Sequence, residues 1–414
     1  MKLSRLYRVC ISAVPILATA AWSSVSLGQA APPPTPPPPD NPAPPGSVPA
    51  ATPPAATPPA PAAPVAPAKP PTVISGHVEA AYHRTFGDPD YSKALLTRAY
   101  DTANGFQLHA AHVQLKHQAT EHVTGVIEFD AGSDAAVNNF TITPLPAAGS
   151  GAQLFDVQEA YASYSNYGVT FTAGKFVTYE GIEVVEGPSN PTITRGFLFY
   201  LAEPVTHVGA KLHYATGPVD VGVGLVNGWD TNGRFYTADN NDMKTGIFRV
   251  GITPVPQFFA AVSGTYGVEV TGATSNPRLS LDLTGAVIPT DMITINFQAN
   301  MGNEKAAGYV VDPMLEARAD ASWFGVGVQP VLKVDAVSVG ARFEYFKDTK
   351  GSRTLVTADD PSFINLTLTP GYTFDGAFTV RGEIRYDSSN REILGIDGNK
   401  KNQTTFAIGA HYVF

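Results

Sequence analysis

The chain has 414 residues, of which 43% are hydrophobic and 15% are charged, with a formal net charge of −9 and one cysteine, Cys10. A single cysteine excludes a disulfide within the chain and any metal site built from several cysteines. The excess of acidic residues argues against nucleic-acid binding, because an acidic surface is repelled by a phosphate backbone.

Residues 1–30 begin with three basic residues, continue through an apolar stretch from Val9 to Trp22 and end in small residues. This pattern is typical of a secretory signal peptide, so we expect the protein to be exported. The apolar stretch is short for a membrane-spanning helix, and an uncleaved anchor is the alternative. Three of the 27 basic residues lie in this segment, which leaves 24 against 36 acidic residues, a net charge of −12.

Residues 31–72 are dominated by proline and alanine and contain only two charges, Asp40 and Lys69. Such a composition cannot bury a core, so we expect an extended polyproline-like segment on the periplasmic side. Two functions remain open for it, a passive spacer or a tether that contacts the cell wall.

Residues 73–414 alternate polar and apolar positions in stretches of roughly ten, rich in β-branched and aromatic side chains and separated by turn residues, which predicts strands. We count sixteen: 74–85, 105–118, 122–132, 155–165, 168–176, 207–217, 219–229, 243–254, 258–269, 280–288, 291–302, 316–333, 337–348, 362–374, 377–388 and 404–414. Short and long connections alternate along the chain. This asymmetry predicts an all-β fold, a transmembrane antiparallel up-and-down barrel with short periplasmic turns, long outer loops and both ends in the periplasm.

The polarity of the alternation is clearest in the last predicted strand. Phe406, Ile408 and Tyr412 share one face, and Thr405 and His411 share the other. A membrane barrel turns the apolar face outward, whereas a soluble barrel turns it inward. The predicted signal peptide, the aromatic residues near strand ends and the charges on the polar faces favour the membrane barrel.

Several short blocks between residues 75 and 414 resemble the OmpL-like outer-membrane β-barrel porins by their order and spacing. The blocks are Gln158-Glu159-Ala160-Tyr161, Gly174-Lys175-Phe176 with Gly181 and Glu183, Asn190, Thr194-Arg195, Pro204-x-Thr206-His207-x-Gly209, Asn227-Gly228-Trp229-Asp230 and Arg342-Phe343-Glu344-Tyr345-Phe346-x-Asp348. The resemblance implies a barrel with a porin-like role, but no particular substrate. The closing Phe414, with Tyr412, resembles the terminal aromatic signal that the outer-membrane assembly machinery recognises.

A barrel of sixteen strands leaves an aqueous lumen, so charged groups on the polar faces are candidates for the pore wall. Those that we expect to face inward are Arg249, Arg318, Asp320, Arg342, Glu344, Arg381, Glu383 and Arg385. The longest connection, 177–206, carries Glu180, Glu183 and Glu186 at three-residue spacing, so a helical turn would present them together. We expect this loop to fold inward and to form a constriction opposite Arg381 and Arg385. The alternative is a solvated acidic surface loop.

No motif of a nucleophile elbow or of a zinc-protease helix is present, so we predict that the protein is not an enzyme. Six of the nine histidines cluster in the first three strands, where polar lining is favoured over a metal site. Trp229 is expected in an interfacial aromatic girdle. The facing of Glu159 is ambiguous, because a slip of one residue reverses every assignment in its strand.

The sequence therefore predicts an outer-membrane pore for passive diffusion of small hydrophilic solutes and ions, with no cofactor and no metal. The alternative is a barrel without an open pore that serves as a surface adhesin or as a structural anchor to the cell wall. The expected partners are outer-membrane lipid, the assembly machinery and, through the proline-rich segment, the cell wall. A homotrimer and a monomer both remain open.

Overall fold

A computed structural model describes residues 71–87, 104–138, 155–229, 241–270, 273–307, 319–354, 359–395 and 398–414. It contains sixteen strands. They are β1 (Thr72–Thr85), β2 (Gly105–Gln118), β3 (Val123–Ala131), β4 (Phe155–Asn166), β5 (Val169–Val177), β6 (Thr206–Thr216), β7 (Val219–Val226), β8 (Thr245–Val255), β9 (Phe258–Val268), β10 (Pro277–Thr290), β11 (Ile293–Glu304), β12 (Ala321–Val334), β13 (Val337–Thr349), β14 (Ser362–Phe374), β15 (Phe378–Ser389) and β16 (Asn402–Val413). One short helix, α1 (Ser133–Asn138), follows β3.

The strands form one closed antiparallel barrel in which every strand pairs with its neighbours in the chain. The seam joins β1 to β16, with a register that runs from His77 opposite Val413 to Thr85 opposite Thr405. Closure satisfies the backbone hydrogen bonds that an open edge would expose to lipid. The predicted sixteen-stranded up-and-down barrel is confirmed.

Short turns and long connections lie at opposite ends of the barrel, as the spacing predicts. Between β4 and β5 the chain turns in two residues, Tyr167 and Gly168, which both have positive φ, 49° and 78°. This geometry matches the right-handed twist of a tight hairpin and favours glycine at the second position. The connections at this end of the barrel have two to four residues each.

Side chains alternate between an exposed apolar outer face and a buried polar inner face. In β16, Phe406, Ile408 and Tyr412 are exposed, whereas Thr405 and His411 are buried inside. The predicted polarity of this strand is confirmed. An exterior of exposed aliphatic and aromatic side chains suits lipid contact and not water. No helix among the described residues has both the length and the apolar character needed to cross a bilayer.

Two β-bulges resolve ambiguities in the facing of the first strands. The register shifts between Glu128 and Phe129, whose partners are Glu159 and Val157, so that Glu159 is buried inside the barrel. A second shift lies between β1 and β2, where His109 of β2 is the extra residue and has no partner on β1. An extra residue in one strand breaks the period of two, which explains why a strict alternation cannot assign these positions.

Two expectations from the sequence are wrong in detail. β12 begins at Ala321 and not at 316, so Asp320 precedes the strand, and the residues from Glu316 to Asp320 contain no β-branched or aromatic side chain that would favour a strand. Trp229 does not lie in an outer girdle. Its side chain is 0% exposed and packs inside the barrel.

Candidate functional site

The connection between β5 and β6, residues 178–205, lies inside the barrel, and we call it the inner loop. Its helical parts are a 3₁₀ turn at Gly187–Ser189 and a π-helical turn at Leu198–Ala202. The predicted helical face of Glu180, Glu183 and Glu186 is therefore wrong, because Gly181 and the β-branched residues Ile182, Val184 and Val185 disfavour a helix in this stretch. Glu180 and Glu183 are 0% and 2% exposed, so neither belongs to a solvated surface loop.

Glu183 forms an ion pair with Arg342 of β13, with 2.7 Å between Oε1 and Nη1. The same guanidinium donates to Asn365 of β14 at 2.9 Å and to the loop's own Thr194 carbonyl at 2.6 Å. Gln329 of β12 donates to the Glu183 carboxylate at 3.0 Å. Arg342 and Gln329 therefore link the inner loop to β12, β13 and β14.

Two wall carboxylates bind the backbone of the inner loop. Glu383 of β15 accepts hydrogen bonds from the amide of Ile193 at 2.6 Å and from the amide of Thr194 at 3.2 Å. Glu344 of β13 accepts one from the amide of Phe197 at 2.7 Å. These hydrogen bonds to buried side-chain oxygens of the wall fix the position of the loop.

The two arginines of β15 bind loop carbonyls in a complementary way. Arg381 donates to the carbonyl of Asn190 at 2.9 Å and pairs with Glu79 of β1 at 2.7 Å. Arg385 donates to the carbonyl of Arg195 and pairs with Asp387 at 2.9 Å. Both guanidinium groups are neutralised by wall carboxylates and do not face the loop glutamates across an open passage.

The end of the inner loop packs in an apolar cluster within the otherwise polar lumen. The cluster joins the turn Leu198–Ala202 to Trp229, Trp323, Phe346 and Phe363. Arg353 donates to the carbonyl of Leu201 at 2.6 Å and lies over both tryptophan rings, 5.2 Å from each centroid. The apolar run Phe197–Leu201 is the feature of the sequence that indicates this contact.

A patch of basic side chains on β6 and β8, which we call the basic wall patch, keeps partial exposure to the lumen. Its members are Lys211, His213 and Arg249. Arg249 pairs with Asp220 of β7 at 2.7 Å and is 16% exposed. Lys211 lies 4.7 Å from the ring centroid of Tyr179, the second residue of the inner loop. Arg249 was predicted on this wall, whereas Lys211 and Tyr179 were missed.

Two predicted wall residues are not on the inner wall that the structure describes. Arg318 lies outside the described residues. Asp320 is 61% exposed in its side chain and pairs with Lys305 at 2.5 Å beyond the end of the strand. At the seam, the outward-facing Tyr412 and Phe414 stack at 5.9 Å, and the backbone of Phe414 exchanges two hydrogen bonds of 3.0 Å with Gly76.

The inward histidines of β1 and β2 are buried in hydrogen-bonded chains. His83 contacts His109 at 2.7 Å, and the other ring nitrogen of His109 contacts Asp134 of α1 at 2.8 Å. His112 contacts Asp130 at 2.9 Å. Within the described ranges, no group of three or more histidine, cysteine or acidic side chains has the arrangement to hold a metal ion.

A family model described as putative beta-barrel porin-2, OmpL-like, matches residues 71–414. Among solved structures, the chain is similar to the outer membrane channel DcaP of Acinetobacter baumannii, with 11% identity and a TM-score of 0.57 over 84% of this chain and 99% of that one. It is also similar to an anion-selective porin from Comamonas acidovorans, with 10% identity and a TM-score of 0.56 over 83% of this chain and 100% of that one. A third similar structure is OmpT of Vibrio cholerae in its trimer form, with 13% identity and a TM-score of 0.54 over 84% and 100% of the two chains. No curated protein matches the chain.

Proposed function

The chain belongs to the putative β-barrel porin-2, OmpL-like family, and we propose that it is an outer-membrane channel for passive diffusion of small hydrophilic solutes and ions. One observation carries the proposal beyond the family match. A closed sixteen-stranded barrel contains a long loop that is fixed inside the lumen by buried charge pairs. A bare barrel of this size has a wide aqueous bore, so an anchored loop sets its narrowest section.

The passage runs, in this proposal, along the wall of β6 to β8. Inner-face side chains of β10 to β15 that meet the inner loop are buried, whereas His213 and Arg249 keep 31% and 16% exposure. Tyr179 borders the same space from the loop side. The constriction therefore lies between the first residues of the inner loop and the basic wall patch.

The predicted pore residues divide into two roles under this proposal. Arg249 lines the passage together with Lys211. Seven others anchor the loop that narrows it: Glu180, Glu183, Arg342, Glu344, Arg381, Glu383 and Arg385. Glu186 is partly exposed on the inner loop and lines the lumen on the side of β2 and β3, near His112 and Glu128.

The remaining parts of the proposal concern residues and partners beyond the barrel. We propose that residues 1–30 are a cleaved signal and that residues after 30, up to the start of β1 at Thr72, form a periplasmic spacer; the segment before residue 71 lies outside the described residues. The protein catalyses no reaction and contacts outer-membrane lipid. It assembles as a homotrimer, which the trimer form of a similar structure supports.

The test is single-channel recording of the purified, folded barrel in a planar lipid bilayer. Stepwise currents that disappear when the protein is heat-unfolded before addition are expected for a pore. A folded barrel that inserts without any current would overturn the proposal and would favour the adhesin or wall anchor instead, because the inner loop would then close the lumen completely.

A further inference from the structure

Three carboxyl groups meet where the two ends of the inner loop contact the wall, and we call them the carboxyl trio. Glu180 lies three residues after β5, Glu203 lies three residues before β6, and Asp282 lies on the inner face of β10. All three side chains belong to residues that are 0% exposed. The trio therefore joins both ends of the loop to one point on the barrel.

Two amide side chains of β11 bridge the trio. Gln298 donates through Nε2 to Glu203 at 2.6 Å and to Asp282 at 2.8 Å. Asn300 donates through Nδ2 to Asp282 at 2.9 Å and to Glu180 at 3.4 Å. The carboxyl groups thus share neutral donors, which bring them close together without supplying any positive charge.

None of the trio forms an ion pair with a lysine, arginine or histidine among the described residues. Glu203 Oε1 is buried and receives no hydrogen bond from any described residue, and the group beside Glu180 on β9 is the neutral hydroxyl of Thr265. Isolated ionised carboxylates are very costly to bury, so the negative charge must be removed by protons or by a bound cation. The amide nitrogens of Gln298 and Asn300 lie between the carboxyl groups, where a cation would have to bind, which favours protons.

The charged groups around the trio do not neutralise its carboxyl groups. Glu183 of the same loop is already paired with Arg342. Arg353 is occupied by the carbonyl of Leu201, at 2.6 Å. β9 contributes the neutral Ser263, whose hydroxyl donates to the carbonyl of Tyr179, and β10 contributes Ser280, whose hydroxyl donates to Glu180.

Burial, reinforced by the neighbouring Asp282 carboxylate, raises the pKa of Glu180 from 4.5 to about 8. Burial and the same neighbour raise the pKa of Glu203 well above its ordinary value. A carboxyl group whose pKa is raised on docking binds its proton more tightly in the docked loop than in the released loop. Docking is therefore strongest below pH 4.5, weakens as the pH rises towards 8, and changes little above that value.

We propose that the carboxyl trio is a proton-dependent anchor that holds the start of the inner loop, Tyr179–Gly181, against β10 and β11, and that loss of its protons releases this segment and widens the passage. Release of the segment does not depend on the proposed function, whereas its effect on current rests on the barrel being a pore.

The released part is limited by the other contacts of the loop. The amide of Gly181 donates to Asp282 at 3.1 Å, and this bond is lost with the anchor. Residues 183–198 remain fixed through Arg342, Glu383 and Arg381, whose charge pairs do not require a carboxylic proton. The opening is therefore expected on the side of the lumen that faces the basic wall patch.

Hydrogen exchange of the full-length folded barrel from pH 6 to pH 9 tests the anchor directly. After correction for the intrinsic exchange rate, the protection of the amides of 179–181 should fall by roughly 10- to 100-fold in the wild type. In a Glu180→Gln, Glu203→Gln double variant, protection should stay constant over the same range. Glu121→Gln, at a residue whose side chain is 85% exposed, is the matched control and should follow the wild type.

Single-channel conductance gives the second measurement. The wild type and Glu121→Gln should show a larger conductance at pH 9 than at pH 6, whereas the double variant should show no pH dependence.

An equal loss of protection in wild type and double variant would overturn the proton-dependent anchor. Restoration of wild-type protection at pH 9 by millimolar calcium would also overturn it, in favour of a cation site. The expected exchange pattern without current in any variant would leave the anchor intact and reject the pore. If the double variant does not fold, the single variants Glu180→Gln and Glu203→Gln serve the comparison, and each should show a smaller fall in protection than the wild type.

Discussion

Arg342 of the barrel wall and Glu183 of the inner loop form an ion pair in which both side chains are almost completely buried, at 0% and 2% exposure. They are 159 residues apart in the chain. Breaking such a pair on one side leaves an uncompensated buried charge, which costs far more than the intact pair contributes.

Arg342→Met is therefore expected to lower the stability of the folded barrel by about 3–5 kcal/mol. Urea unfolding in detergent, followed by the shift in electrophoretic mobility of the folded form, measures this loss. The double variant Arg342→Met, Glu183→Gln should recover part of the stability, since no unpaired charge remains. Lys305→Gln, at the exposed pair with Asp320, should change nothing measurable, and an equal loss in this control would contradict the expectation.

The basic wall patch should set the charge preference of the passage. Lys211→Gln together with Arg249→Gln removes two positive charges from the partly exposed wall and leaves Asp220 without its arginine partner. The reversal potential in a salt gradient should shift towards cation preference, and the shift should shrink at high salt because fixed charges are screened. Lys305→Gln, beyond the strand end, should leave the potential unchanged. No shift in the double variant would place the passage elsewhere in the lumen.

The long connections should face the outside of the cell and the short turns the periplasm. Single cysteines at Asn232 and Gly398, in long connections, should react with a membrane-impermeant reagent on intact cells, whereas one at Ala336, in a short turn, should stay protected. Asn232 lies outside the described residues, and Gly398 provides the same test within them. Labelling at Ala336 alone would reverse the orientation.

Removal of Phe414 should lower the amount of folded barrel in the membrane. The residue stacks on Tyr412 and closes the seam through two backbone hydrogen bonds with Gly76. Thr405→Ala, on the inner face of the same strand, should reduce the folded amount much less. The ratio of heat-modifiable to unfolded protein in membrane extracts measures both, and equal ratios would reject a special role for the last residue.

The strands could be predicted from the sequence because each obeys a local rule, a period of two that separates lipid-facing from lumen-facing side chains. Arg342, Glu344, Arg381, Glu383 and Arg385 were assigned to the inner wall in this way, and all five are buried there. The rule failed at Glu159, where a bulge breaks the period.

The interior of the barrel could not be predicted with the same success, because its contacts join residues that are far apart in the chain. The inward position of the loop was expected, but its three glutamates were assigned to one helical face. Instead Glu183 pairs with Arg342, and Glu180 belongs to the carboxyl trio and accepts a hydrogen bond from Asn300. Trp229 was assigned to the lipid interface, since no local pattern distinguishes a lumen tryptophan from a girdle tryptophan.

The separation of these contacts along the chain has a consequence for assembly. The amide of Gly181 finds its acceptor 101 residues later, and that of Ile193 finds its acceptor 190 residues later. Contacts of such high sequence separation form late, because the intervening strands must be in place first. The inner loop therefore has nowhere to dock until β10 to β15 have joined the barrel. The narrow section that the docked loop forms is thus one of the last parts of the molecule to be fixed.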